Sequence, residues 1–138
     1  MTLKPLYLMV PLVAALFAAG CHKPTEHHEE AELDSALQQL KHMVTAEPTL
    51  AYSKLDSIQR LLADSCCWWR AELFKATSLA WAGQHERSER IYRQVEDWCR
   101  LHPEQYRLQS ELWHHRGTNL QTHGEYDQAI ACYKKAQL

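Results

Sequence analysis

An all-α fold is what this sequence predicts, and three observations predict it. Apolar residues recur every three or four positions from residue 30 onward, which gathers them on one face of successive helices. No stretch alternates for long enough to form a strand. The 4 Gly and 5 Pro among 138 residues are too few for a chain of tight β-turns. Pro48, Gly83, Pro103 and Gly124 fall between the apolar stripes and divide them.

Each helix has its own signal. Leu33, Leu37, Leu40 and Val44 share one face, and Pro48 stops that pattern. Thr49 can cap the next helix, which Leu50, Leu55, Ile58 and Leu62 continue. Asp64 and Ser65 form a break with good N-cap chemistry. Trp69, Leu73, Ala76 and Ala80 make the third stripe, closed by Gly83. Ile91, Tyr92, Val95 and Cys99 make the fourth, closed by Pro103. Leu112, Trp113 and Leu120, then Ala129, Tyr133 and Ala136, supply two more around Gly124. The expectation is six helices in three hairpins, at about 30–63, 66–100 and 104–138.

Composition fits one folded domain. The 5 Trp, 6 Tyr and 2 Phe bring enough large apolar surface to offset the entropy of ordering. A net charge of −2 offers no basic footprint for nucleic acid.

The first segment reads as an address. Lys4 precedes an almost wholly apolar stretch over 6–19, the pattern of a secretory signal. It is short for a membrane span, which needs about 20 apolar residues, and Pro11 interrupts it. Ala18, Ala19 and Gly20 lead directly into Cys21, which resembles a bacterial lipobox. The resemblance implies a signal peptide over 1–20, cleavage before Cys21, and lipidation of the Cys21 sulfur. Ala18 departs from the large aliphatic residue that the family prefers. Ordinary signal cleavage near Gly20, or an uncleaved anchor, is the alternative reading. Residues 21–29 then read as a polar tether, rich in Glu and His and containing Pro24. Its early acidic residues are similar to export signals of surface lipoproteins of Bacteroidetes. His27, His28, Glu29 and Glu30 could hold a metal loosely, but a solvated tail is the simpler reading.

Internal similarity is stronger than any single motif. The segments 83–95 (GQHERSERIYRQV) and 124–136 (GEYDQAIACYKKA) align with Gly on Gly, Ser88 on Ala129, Tyr92 on Tyr133 and Val95 on Ala136. The last copy resembles the tetratricopeptide repeat (TPR) family through Trp113, Gly117, Leu120, Gly124, Tyr126, Ala129, Tyr133 and Ala136. In the middle copy Ala76, Leu79, Gly83, Ser88 and Tyr92 match, while Glu72 stands where that family has a large aromatic residue. The first hairpin keeps only Ala51, Leu55 and Ile58. The two better copies lie further apart than the family's usual 34 residues, which points to an insertion at 102–108. The resemblance implies a right-handed stack of about three hairpins over 30–138, with the first helix of each hairpin lining a groove.

By that resemblance the groove takes Arg70, Leu73, Thr77 and Trp81 from the middle hairpin, and His114, Thr118 and Gln121 from the last. Trp81 is the expected anchor, because aromatic side chains dominate interface hot spots. Leu73 and His114 stand where lysines of the family's carboxylate clamp would be sought, so a mixed apolar and polar groove is expected instead. The pattern stops at Leu138 with no polar capping helix after it, which reads as a fragment of a longer array and leaves self-association open.

Enzymatic signals are missing. There is no GxSxG, no Gly-rich phosphate loop and no HExxH. His114 and His115 are neighbours, so on a helix they point about 100° apart. No CxxC exists; Cys99 and Cys132 fall on apolar stripes, where a thiol packs as a small hydrophobe. Cys66 or Cys67 could bridge to Cys99 in an oxidising compartment. The expected function is therefore a lipid-anchored scaffold of the cell envelope, at the outer membrane on its periplasmic or surface face. It would hold a protein or peptide through its repeats, without nucleic acid, metal or other cofactor, and without catalysis. The alternative is the N-terminal ectodomain of a TPR-containing membrane sensor or transcription regulator, resembled by the run at 51–58.

Overall fold

The structure, a computed structural model, describes residues 26–62 and 66–137. Every element among them is helical: α1 (Glu26–Lys41), α2 (Met43–Ala46), α3 (Pro48–Gln59), α4 (Cys66–Trp81), α5 (His85–Leu101), α6 (Tyr106–Thr122) and α7 (Tyr126–Ala136). The chain divides into two compact units, 1–32 and 33–138. Of the first, only the opening of α1 is described. The signal segment, Cys21 and the break at Asp64 and Ser65 lie outside the described residues. Among the described residues, no helix is long and apolar enough to cross a membrane.

Three boundaries differ from expectation. Helix begins at Glu26, so the tether expected over 21–29 is already helical in its last four positions. The first stripe is not one helix: α1 ends at Lys41 and the chain re-enters helix at Met43 for a single turn. Pro48 does more than stop that pattern. It occupies the first turn of α3, where its missing N–H would have no helical partner anyway and its fixed φ suits the helix. Thr49 is then inside α3, and Glu47 stands at the N-cap.

The core sits around α4, which packs on α2, α3, α5 and α6. Leu73, Phe74, Ala76, Leu79 and Ala80 are buried on it. Leu37, Val44, Ala51 and Leu55 meet them from one side, and Tyr92, Val95, Leu108 and Leu112 from the other. In α5 the buried residues are Ser88, Tyr92, Val95 and Cys99. That spacing of four, three and four is a single stripe on an otherwise exposed helix.

The internal similarity has a structural counterpart. Gly83 and Gly124 both take positive φ, +80° and +79°, a conformation open to glycine without a Cβ penalty. After the first, Gln84 N–H donates to Leu79 C=O at 2.8 Å and Gly83 N–H to Ala80 C=O at 3.0 Å. After the second, Glu125 N–H donates to Leu120 C=O at 3.0 Å and Gly124 N–H to Gln121 C=O at 3.1 Å. Both are Schellman closures of a helix end. Each hairpin is then pinned by a Thr–Tyr hydroxyl pair, Thr77 with Tyr92 at 3.0 Å and Thr118 with Tyr133 at 3.3 Å.

At Gly117, α6 and α7 lie too close for a side chain. A Cβ there would stand 2.8 Å from Tyr133 Cε1 and 3.2 Å from Cys132 Cβ. Gly117→Val must therefore push the two helices apart. Overpacking of this kind costs about 1–3 kcal/mol, and a urea titration should show the loss. Wild-type stability in that variant would mean that α7 can tilt away freely.

Candidate functional site

The seven residues expected along a groove do not share one environment. Arg70, Leu73 and Thr77 are buried, at 3%, 0% and 5% exposure. They have no surface to offer a ligand, so their place in the groove is corrected to the core. The cause is the position of α4, which is enclosed on nearly every face from Arg70 to Ala80. Trp81, at the end of that helix, emerges and is 47% exposed. His114 and Gln121 are exposed and Thr118 is half-buried.

Three of the accessible four are brought together. Tyr133 O–H donates to Gln121 Oε1 at 2.7 Å and stands 3.3 Å from Thr118 Oγ1. The His114 ring lies 5.8 Å from the Tyr133 ring, centroid to centroid. Thr118 O–H also donates to His114 C=O at 3.0 Å, within its own helix. This patch offers an imidazole, an amide and an aromatic face on the α6–α7 hairpin. Trp81 takes no part in its hydrogen bonds.

The buried polar residues of α4 are satisfied from within. Arg70 makes a two-pronged bond to Glu111, Nε to Oε2 at 2.8 Å and Nη2 to Oε1 at 2.7 Å, and pairs with Asp34 on α1. Lys75 donates to Asp56 at 2.9 Å and to Gln59 at 2.8 Å on α3. Burial disfavours the Lys75 ammonium, but the Asp56 hydrogen bond and the Glu72 charge outweigh it and leave its pKa raised. The same hydrogen bond holds the Asp56 carboxyl below its ordinary value. Glu72, in the position where a large aromatic was sought, accepts from Gln59 and faces Lys75 at 3.5 Å. These are ties between helices.

A cleft of about 680 Å³ opens across α5, α6 and α7, with Glu96, Trp113, Arg116 and Lys135 in its wall. Arg116 donates to Glu96 at 2.9 Å and pairs with Glu89. Lys135 Nζ stands 4.1 Å over the Trp113 ring, a cation–π contact that covers this indole. The charges lining the cleft are therefore largely answered within the chain.

Cys99 and Cys132 are buried thiols that make no disulfide. Burial pushes the Cys99 thiol up to about 11, far from a reactive thiolate. Cys66 and Cys67 pack against the core, half-buried. Among the described residues, no group of three or more His, Cys, Asp or Glu is arranged to hold a metal ion. The side chains of His27, His28, Glu29 and Glu30 lie outside those described.

Two features were invisible in the linear spacing. His115 is turned inward, its Nδ1 3.1 Å from Thr77 Oγ1 and its ring 5.5 Å from that of Phe74. Its neighbour His114 faces out. His85 and His123, 38 residues apart, meet with their Nε2 atoms 2.8 Å from each other. No family model, curated protein or solved structure matches this chain.

Proposed function

We propose that this protein is a lipid-anchored scaffold of the cell envelope that holds a protein or peptide on a TPR-like array of helical hairpins. One observation carries the reading: the same hairpin is built twice, with the same glycine turn and the same Thr–Tyr pin forty-one residues apart. Repeated hairpins stack into extended surfaces whose use is binding. The accessible patch of His114, Gln121 and Tyr133, and the exposed Trp81, supply the mixed aromatic and polar chemistry of an interaction surface. The lipobox-like sequence before Cys21 supports export and anchoring, and two or three acyl chains hold a protein firmly because each buried CH₂ contributes about 0.8 kcal/mol.

Two experiments test the two halves. Intact mass of membrane-extracted protein should give a chain starting at Cys21 with added lipid mass, and Cys21→Ala should lose that mass. An unlipidated wild-type chain removes the anchor and leaves the repeat reading standing. For binding, the triple variant Trp81→Ala, His114→Ala, Gln121→Ala should melt like wild type, because all three side chains are exposed, yet lose at least tenfold in affinity for the protein that crosslinks to wild type in cells. Retention of full affinity would move the binding surface elsewhere.

A further inference from the structure

The geometry points to a transition-metal site of two imidazoles, His85 and His123, that clips the start of α5 to the end of α6. His85 is the first residue of α5 and His123 follows the last residue of α6. Both are exposed at the edge of the same cleft. Their Nε2 atoms are 2.8 Å apart, and the rings meet edge to face at 82° with centroids 3.9 Å apart.

The tautomers follow from the neighbours. His123 Nδ1 lies 2.7 Å from the carbonyl oxygen of Asn119. A carbonyl only accepts, so Nδ1 carries the proton and Nε2 of His123 presents its lone pair. Opposite it, His85 Nε2 must donate its own N–H. One proton therefore sits between the two nitrogens.

A divalent ion can replace that proton by sitting to one side of the line between the nitrogens, once the rings turn to bring both lone pairs onto it. When it binds, His85 gives up the Nε2 proton to solvent and takes one at Nδ1, so the ring stays neutral and a second lone pair turns to the ion. Two nitrogens at about 2.1 Å from one ion and at right angles to each other stand about 3 Å apart. The observed separation needs to widen by only a few tenths of an ångström, and the two rings, now edge to face, must turn toward the ion. The Asn119 carbonyl then acts as the outer partner that fixes a ligating imidazole. Imidazole selects Ni(II), Cu(II) and Zn(II) over the hard cations. Two protein ligands leave the remaining positions to water, so the ion is exchangeable. It would brace one hairpin against the next and not serve as a buried structural centre.

Ni(II) is the probe, because it does not oxidise the thiols. Equilibrium dialysis of the full chain should show one equivalent more nickel on wild type than on His85→Ala or His123→Ala, with the double variant no lower than either single. Nickel should also raise the melting temperature of wild type by several degrees, reversibly with chelator, since a ligand of the folded state stabilises it by mass action. Neither single variant should show that rise. His85→Gln and His123→Gln, which keep a hydrogen-bonding group, repeat the test should an alanine variant melt early without metal. A difference of less than half an equivalent, or an equal nickel-induced rise in the double variant, would overturn the site.

Discussion

Arg70→Ala should unfold most of the molecule at temperatures where wild type is fully folded. Arg70 is 3% exposed and its guanidinium joins three helices, through Glu111 on α6 and Asp34 on α1. Its removal leaves Glu111, 16% exposed at the side chain, with only the half-exposed Arg107, 4.0 Å away, to balance its charge. Breaking a buried pair from one side costs about 3–5 kcal/mol. A domain of this size has about 5–15 kcal/mol in all, so the midpoint in urea should fall by about a fifth or more. The decisive comparison is Arg70→Met with Glu111→Leu. Replacing Arg70 and Glu111 with apolar groups of similar size removes the more buried carboxylate, leaves Asp34 its contact with Arg107 at 3.3 Å, and should recover most of the loss. Should Arg70→Ala melt like wild type, the network is ornament and α4 is held by apolar packing alone.

Acid should destabilise the protein between pH 6.5 and pH 4, and His115 should be a main cause. Burial, then the charge of Lys41, then His114 and Arg70, pull the His115 pKa down to about 3 from 6.5. Its Nε2 has no hydrogen-bond partner in the fold, so a proton there would be a buried, unanswered charge. The folded pKa is the lower one, so the unfolded chain binds the proton first as pH drops. The stability tied to this group is fully present above pH 6.5 and is lost as pH falls toward 3, at up to about 1.4 kcal/mol per pH unit. His115→Asn keeps a polar atom near Thr77 and cannot take that proton. Its urea midpoint should be lower than wild type at pH 7 yet decline less steeply between pH 6.5 and 4. Equal slopes for the two proteins would show that His115 is not held neutral.

Much of the architecture was legible because it is local. The stripe Ile91, Tyr92, Val95 and Cys99, and the glycines at 83 and 124, determine where a helix buries a face and where it ends. These depend on side-chain period and on φ, which neighbouring residues set. The duplicated hairpin was legible for the same reason, since two copies of one local solution share their glycine turn and their tyrosine; the hydroxyl pin from Thr77 and Thr118 came only with the packing. The α1–α2 interruption was not, because Leu37, Leu40 and Val44 keep a helical period across His42.

The site was less legible, and the reason is α4. Its apolar stripe of Trp69, Leu73, Ala76 and Ala80 fits a helix buried on one face, and that leaves Arg70 and Thr77 on the open side. The fold encloses this helix with α2, α3, α5 and α6, so its polar residues had to find partners inside. Arg70 found Glu111 and Asp34, and Lys75 found Asp56 and Gln59. Thr77 found Tyr92 and His115. Which face of a helix stays wet depends on what packs over it, and no window of sequence contains those partners. The pairing of His85 with His123 has the same origin. The sequence by itself determined the helices, their turns and their repetition. Only the stacking of one hairpin on the next decided which of their polar residues became struts and which remained exposed.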